Sequence, residues 1–180
     1  MSEKCRKCRV KPGTRIRAEL SRIDLRCVLI GAGIVLLLGF ISALLSRSPG
    51  FRFVYRVLRK PPGSPPAFIF PIVWTLLYAL TGGAAGAVVC SCEKAMNGEK
   101  LRGMLFFVIG LIFNLIWSPL FFGMGAFFAA FLAIIVMIVA TVFTISAFSR
   151  IWFVSAAAMC VYLVWLIYAA YLNLGVIVLN

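Results

Sequence analysis

Five long stretches that contain no charged residue constrain this 180-residue chain more than any other feature. They cover approximately residues 28–45, 67–90, 103–123, 125–148 and 151–179. Each is close to, or longer than, the roughly 18–20 apolar residues that cross the hydrocarbon core of a bilayer. Because backbone polar groups inside lipid must be hydrogen-bonded within the protein, such stretches form helices. The sequence therefore predicts an all-α membrane protein, a bundle of five transmembrane helices in a single domain.

The Lys and Arg residues, whose excess gives the chain a net charge of +13, predict its orientation. Residues 1–26 carry nine of them, residues 91–102 carry three and Arg150 adds one, whereas residues 46–66 carry five. With five spans, the first three of these regions share one side of the membrane. Since cytoplasmic loops are enriched in Lys and Arg, we expect the N-terminus to face the cytoplasm and Asn180 the opposite side. A bacterial-type cytoplasmic membrane is the expected location.

Residues 1–26 form a basic arm in front of the membrane domain, which we assign to residues 27–180. Ile16, Leu20 and Ile23 recur at i, i+4 and i+7 among arginines, a pattern typical of a helix that lies in the membrane interface. Anionic membrane lipid is therefore the expected partner of the arm, and we expect no nucleic acid partner. A processed targeting segment is the alternative interpretation.

Cysteine and histidine usage bears on metal binding and acid–base chemistry. Cys5 and Cys8 lie in "CRKC", and Cys90 and Cys92 lie in "CSC" on the same predicted side. Four thiolates could bind zinc, but reduced, free thiols are the favoured interpretation, and we predict no metal site. Histidine is absent, and the predicted spans contain no Asp, Glu, Lys or Arg. This argues against a proton-coupled transporter and against acid–base hydrolysis in the membrane, and we expect no required cofactor.

Three of the predicted spans each place one tryptophan well inside the membrane. Trp74 lies in the second span, Trp117 in the third and Trp165 in the fifth, each with polar or small residues on the same helix face. Packing alone explains any one such stripe, and Trp152, beside Arg150, is interpreted as a marker of the membrane interface. Together, the three deep tryptophans suggest an apolar cavity with aromatic walls for a flat ligand.

Two further patterns predict helix geometry. Gly82 and Gly86 form a G-x-x-x-G motif, which lets two helices approach closely. Packing within the chain is favoured, and a seam between two copies is the alternative. Pro119 lies inside the third predicted span, where it removes one backbone hydrogen bond and should bend the helix.

Three segments resemble the signature of the TspO/MBR family, the tryptophan-rich sensory proteins or translocator proteins, also called peripheral-type benzodiazepine receptors. "VYRVLRKPPGSPPAFIFPIVWTLLY" is similar to the motifs W-Y-x-x-L-x-K-P-x-W-x-P-P and P-V-W-x-x-L-Y. "FNLIWSPLFFG" and "VYLVWLIYAAYLN" are similar to motifs of the third and fifth helices. One departure is Gly63, which stands where the first motif has a tryptophan. The resemblance implies a five-helix bundle, often a homodimer, whose pocket opens toward the first loop and takes porphyrins, haem or other flat hydrophobic ligands.

The resemblance also implies which residues bind that ligand. They lie in the first loop and in the second, third and fifth helices. The ligand-binding positions are Tyr55, Lys60, Pro65, Pro66, Trp74, Tyr78, Asn114, Trp117, Tyr162, Trp165, Ala169 and Leu172.

The proline-rich first loop is expected to form an extended lid over the pocket mouth, because proline restricts its own backbone and that of the preceding residue. Arg52, Arg56 and Arg59, together with Lys60, are candidates to pair with the propionate groups of a bound tetrapyrrole. Contacts of these side chains with lipid head groups are the alternative.

Three functions fit these patterns. The preferred one is an integral membrane sensor or translocator that binds porphyrin or haem in the aromatic pocket. The first alternative is an enzyme that degrades porphyrin in the presence of light and oxygen through Trp74 and Trp165. The second alternative is a membrane scaffold that binds lipid or a partner protein.

Overall fold

A computed structural model describes residues 24–45, 58–91 and 97–180 of the chain. In these segments the chain forms helices and no strand. The helices are α1 (Leu25–Leu45), α2 (Ile69–Val89), α3 (Asn97–Ser118), α4 (Phe127–Ile151) and α5 (Phe153–Leu179). All five are long and apolar enough to span a membrane. The predicted all-α, five-helix architecture is therefore confirmed.

Helix α3 begins six residues before the predicted span, and helix α4 ends three residues after its predicted span. Both extensions carry charged residues, which lie beyond the apolar part of each helix. The Arg150 guanidinium pairs with the Glu99 carboxylate at 2.9 Å, and the Lys100 ammonium donates to the Ser91 carbonyl. The predicted arm, apart from its last three residues, lies outside the described residues.

Helices α1 and α2 pack backbone against backbone. A Cβ atom added at Gly82 would lie 2.5 Å from the carbonyl oxygen of Gly31, and one added at Gly86 would overlap the carbonyl oxygen of Cys27. Only glycine permits so close an approach of two helices. The G-x-x-x-G motif is therefore used within the chain, as the favoured interpretation predicted.

A disulfide joins Cys27 in the first turn of α1 to Cys90 at the end of α2, with 6.3 Å between the two Cα atoms. The prediction of a free thiol at Cys90 is therefore wrong. That prediction weighed only the short C-x-x-C and C-x-C patterns, whereas the close α1–α2 packing brings together two cysteines 63 positions apart. Cys5, Cys8 and Cys92 lie outside the described residues.

The end of α3 and the junction of α4 with α5 also depart from simple helices. After Ser118 the chain makes one π-helical turn, Pro119–Gly123, in which the Met124 amide donates to the Pro119 carbonyl at 3.0 Å. This turn is the distortion that Pro119 predicted. Trp152 separates α4 from α5, and its side chain is 7% exposed. The side chain packs in the core, and its interpretation as a marker of the membrane interface stays a prediction.

Candidate functional site

A cavity lies at the end of the bundle that carries the first loop. Its walls come from α2, the end of α3 with its π-helical turn, α5 and the loop itself, and it leaves about 50 Å³ for water-sized molecules. The surface is almost entirely apolar. The lining residues are Lys60, Pro61, Ser64, Phe70, Trp74, Trp117, Phe121, Phe122, Trp165, Ala169, Leu172, Asn173 and Val176.

The three deep tryptophans all line this cavity, as the sequence predicts. The ring centroids of Trp74 and Trp117 lie 5.8 Å apart, with the planes tilted by 36°. Trp165 meets Phe70 edge to face at 6.3 Å. Offset and edge-on contacts of this kind are the favoured arrangements of aromatic rings, and they present both ring faces and ring edges to the cavity.

The two indole N–H groups on α3 and α5 differ in their bonding. The Trp117 Nε1 donates to Asn173 Oδ1 at 3.4 Å, and the Asn173 amide donates to the Phe127 carbonyl at 3.0 Å. The Trp165 Nε1 is buried and meets no acceptor among the described residues. Because an indole N–H only donates and a buried donor without a partner is costly, an acceptor on a ligand would stabilise this site.

Three predicted ligand residues lie one helical turn further from the loop and bond to one another. The Tyr78 hydroxyl donates to Asn114 Oδ1 at 2.5 Å, and Asn114 Nδ2 donates to the Tyr162 hydroxyl at 2.7 Å. The network ties α2, α3 and α5 together beside a smaller inner cavity. The Tyr78 ring centroid is 5.6 Å from that of Trp74, so the network supports the tryptophan layer from below. None of the three lines the upper cavity.

The loop over the cavity contains a turn and is not extended throughout, which corrects the predicted geometry. The Ser64 amide donates to the Pro61 carbonyl at 3.3 Å, and Gly63 has a φ of +79°. A type II turn needs such a φ at its third residue, which favours glycine there. The residue that departs from the family motif is thus the one that allows the turn.

The two prolines predicted to contact ligand lie after this turn. Pro65 and Pro66 are absent from the cavity lining, and the Pro66 carbonyl accepts from the Ile69 amide at 3.0 Å. The two residues lead the chain into α2. Whether they contact a ligand stays a prediction.

The loop is fastened to α5 by contacts that sequence reasoning missed. The Tyr168 hydroxyl donates to the Gly63 carbonyl at 2.7 Å, and the Tyr171 hydroxyl donates to the Pro62 carbonyl at 2.9 Å. The Asn180 side chain also accepts from the Arg59 amide and donates to its carbonyl, both at 3.0 Å. We call this set of contacts the latch. The only sequence signal was a pair of tyrosines three residues apart, on the helix that carries Trp165.

Pro61 and Gly175 complete the contact between the loop and α5. Pro61 is buried, and a Cβ atom added at Gly175 would lie 2.5 Å from the Pro61 ring. Glycine at this position therefore lets the proline reach α5 and form part of the cavity wall.

The structure places the predicted cationic residues unequally. Arg59 and Lys60 are both exposed; Lys60 also lines the cavity, whereas Arg59 does not and contacts Asn180 through its backbone. Arg52 and Arg56, as well as the predicted ligand residue Tyr55, lie outside the described residues. Their contact with a ligand stays a prediction.

These features define a class of protein: a five-helix membrane bundle that encloses a small aromatic cavity under a basic, proline-rich loop. Residues 31–179 match the TspO/MBR family, and the chain belongs to that family.

Curated relatives extend the comparison to distant organisms. The chain is 34% identical over 148 residues to the tryptophan-rich protein TspO of Chlorobaculum tepidum, a match that covers 82% of this chain and 92% of the relative. It is 33% identical to the tryptophan-rich sensory protein of Cereibacter sphaeroides, over 70% of this chain and 76% of the relative. It is 30% identical to the translocator protein of Ovis aries, over 75% of this chain and 79% of the relative.

Proposed function

We propose that this protein is a membrane sensor or translocator that binds a tetrapyrrole, porphyrin or haem, in the cavity under the first loop. The observation that carries the proposal is the convergence of Trp74, Trp117 and Trp165 on one apolar cavity. Flat aromatic ligands gain both buried area and favourable ring contacts from such walls.

The charges near the cavity mouth favour an anionic ligand. Lys60 lines the cavity, Arg59 is its neighbour in the loop, and no Asp or Glu occurs in residues 46–90 or 103–180. The propionate groups of a porphyrin would meet these cations at the mouth, with Arg52 and Arg56 as further candidates. The ring would lie deeper, where the Trp165 N–H lacks an acceptor among the described residues.

Ligand binding requires the loop to move. The closed cavity leaves about 50 Å³, whereas sites for drug-sized ligands measure roughly 300–1,000 Å³. The described part of the loop is held by the latch hydrogen bonds, whose net contribution is about 0.5–1.5 kcal/mol each, and by the contact of Pro61 with α5, and opening must break both. The latch therefore sets how often the site is accessible.

The test is a titration of the detergent-solubilised protein with protoporphyrin IX in the dark, followed by quenching of tryptophan fluorescence. We expect saturable quenching in the wild type and in Trp152→Phe, because Trp152 is buried away from the cavity. Trp165→Phe should bind at least about tenfold more weakly, as expected for loss of about 1.4 kcal/mol of contact. Equal affinities of the two variants, or no saturation, would contradict the tetrapyrrole site and favour a scaffold that binds lipid or a partner protein.

A second candidate function is degradation of a bound porphyrin with light and oxygen. Trp74 and Trp165 both line the cavity, which favours it, because both rings would lie against a bound, excited porphyrin. In this reading Trp74 and Trp165 react, and molecular oxygen is the oxidant. A new absorbing product that appears only under illumination, and is lost in Trp74→Phe, would support the enzyme.

We also propose the finer features of location and assembly. Thirteen of the 18 Lys and Arg residues lie on the side of the N-terminus, which favours an N-terminus in the cytoplasm of a bacterial-type membrane, with the arm on anionic lipid. The apolar outer face of the helices, of which Leu29, Phe40 and Val164 are examples, contacts lipid. A homodimer remains our expectation, and cross-linking in native membranes tests it.

A further inference from the structure

We propose that the Cys27–Cys90 disulfide is a reversible redox site that exchanges with cellular dithiols and controls how firmly α1 is held against α2. The bond joins the first turn of α1 to Cys90, the residue that directly follows α2. This proposal rests on the membrane orientation proposed above and is independent of which ligand the cavity binds.

The surroundings of the bond point to the reducing side of the membrane. The same end of the bundle carries Arg26, Lys100, Arg102 and Arg150, besides the basic arm. If the basic residues face the cytoplasm, the disulfide lies where small thiols and thioredoxin-type proteins keep cysteines reduced. Disulfides in that compartment are usually transient and serve catalysis or redox sensing.

The disulfide lies at the surface of one end of the bundle. Cys90 is exposed and Cys27 is half-buried; Cys27 lies in the first turn of α1, and Cys90 directly follows α2. By contrast, Cys160 is a free thiol inside the span of α5, where its exposed side chain faces lipid. Soluble dithiols therefore reach the Cys27–Cys90 pair and not Cys160.

Helix α1 packs extensively on α2 and touches the rest of the bundle at far fewer points. It packs on α2 through the glycine contacts, and the Ser42 hydroxyl donates to the Leu115 carbonyl at 2.7 Å. Gly39 lies directly against the Tyr78 ring, which begins the hydrogen-bond network below the tryptophans. Movement of α1 away from α2 would therefore loosen the Tyr78 ring. Because that ring packs against Trp74, the cavity wall would change as well.

The exchange needs only a dithiol and is balanced. One thiolate of the reductant attacks a sulfur of the disulfide, and the other protein sulfur leaves as a thiolate that takes a proton. The second thiol of the reductant then resolves the mixed disulfide. The net result is two protein thiols and one oxidised reductant, and the reverse reaction with an oxidised dithiol restores the bond.

The experiment measures the state of the bond in growing cells. The full chain with Cys5, Cys8, Cys92 and Cys160 changed to Ser retains only the pair. Cells are quenched in acid, and free thiols are alkylated with a maleimide that adds mass visible on a gel. We expect two tags during growth, none within minutes of a thiol-specific oxidant, and two again after recovery.

The control and the outcomes separate the alternatives. Adding Cys27→Ser to this background should give one tag during growth and again after recovery. Absence of tags in all conditions in the pair variant would make the bond a permanent structural disulfide and overturn the proposal. Two tags in all conditions, oxidant included, would also overturn it, because the bond would not form in the cell.

A second measurement tests the effect on α1. In detergent, a reductant should lower the Tm of the pair variant by about 3 °C or more, because it releases a cross-link that closes a long loop. The variant that carries Cys27→Ser should show no shift. A reversible bond whose reduction leaves the Tm unchanged would refute the coupling to helix packing. Failure of porphyrin binding would affect neither readout.

Discussion

Removal of the latch hydroxyls should make the cavity easier to open without altering its walls. Tyr168 and Tyr171 each donate one hydrogen bond to a loop carbonyl, at 2.7 and 2.9 Å. The change of either tyrosine to phenylalanine removes the donor and keeps the ring. Neither tyrosine lines the cavity, so contacts with the ligand should be preserved.

The magnitude follows from the hydrogen bonds. Both bonds are exposed, and we assign each about 0.5–1 kcal/mol, the lower part of the usual range. One substitution should then raise the population of the open loop about two- to fivefold. The double variant should raise it about five- to thirtyfold. Because only the open form admits ligand, the association rate rises by the same factor.

Stopped-flow mixing with protoporphyrin IX, followed by tryptophan quenching, measures both rate constants. Because the closed cavity of about 50 Å³ is too small for a porphyrin, the loop stays unlatched in the complex, so the association rate should rise while the dissociation rate stays unchanged. The Kd should fall by the same factor as the association rate rises, since only the free, closed form loses the latch bonds. Tyr162→Phe is the matched control, because its hydroxyl belongs to the inner network and not to the loop.

An association rate that is the same in the wild type and the double variant would refute the latch as a gate. A change in Kd with no change in the association rate would mean that the tyrosines contact the ligand. Either result would mean that the hydrogen bonds of Tyr168 and Tyr171 do not control ligand access to the cavity.

Three further predictions concern packing, the inner network and charge. Gly82→Leu places a side chain where an added Cβ would already lie 2.5 Å from a backbone oxygen, so it should separate α1 from α2. Size-exclusion chromatography in detergent should then show no folded protein. Gly33 has open space around it, so Gly33→Leu should remain folded. Asn114→Leu leaves the hydroxyls of Tyr78 and Tyr162 without their shared partner and should cost about 1–3 kcal/mol, measured as a lower Tm; an unchanged Tm would contradict the network. Lys60→Ala should weaken binding of protoporphyrin IX about two- to fivefold, the range for a solvent-screened ion pair, and leave the dimethyl ester of the same porphyrin unaffected; equal losses for both ligands would exclude carboxylate pairing by Lys60.

The spans and the tryptophan wall were accessible from the sequence because each depends on local pattern. Length without charge identifies a transmembrane helix whatever its neighbours are. The positions of Trp74, Trp117 and Trp165 at similar depth in three spans are fixed by helix periodicity, and the structure gathers them around one cavity. Pro119 predicted a distortion of the third helix. The form of that distortion, a single π-helical turn, depends on how the chain continues into α4.

The latch and the disulfide depend on contacts between distant positions, which no local pattern encodes. Tyr168 bonds to a carbonyl 105 positions away, and the acceptor is a backbone group that any residue offers. Cys27 pairs with Cys90 because glycines allow α1 and α2 to touch there. For the inner network, the sequence identified the residues Tyr78, Asn114 and Tyr162, but helix spacing alone does not tell ligand contact from mutual hydrogen bonds.

The most direct test of the central claim is to locate a bound tetrapyrrole. Crystals of the protein grown with zinc protoporphyrin IX would give an anomalous signal from the zinc, which marks the ligand without reference to its density. We predict one zinc peak per chain inside the cavity lined by Trp74, Trp117 and Trp165. A peak on the lipid-facing surface, with that cavity still closed, would contradict the account.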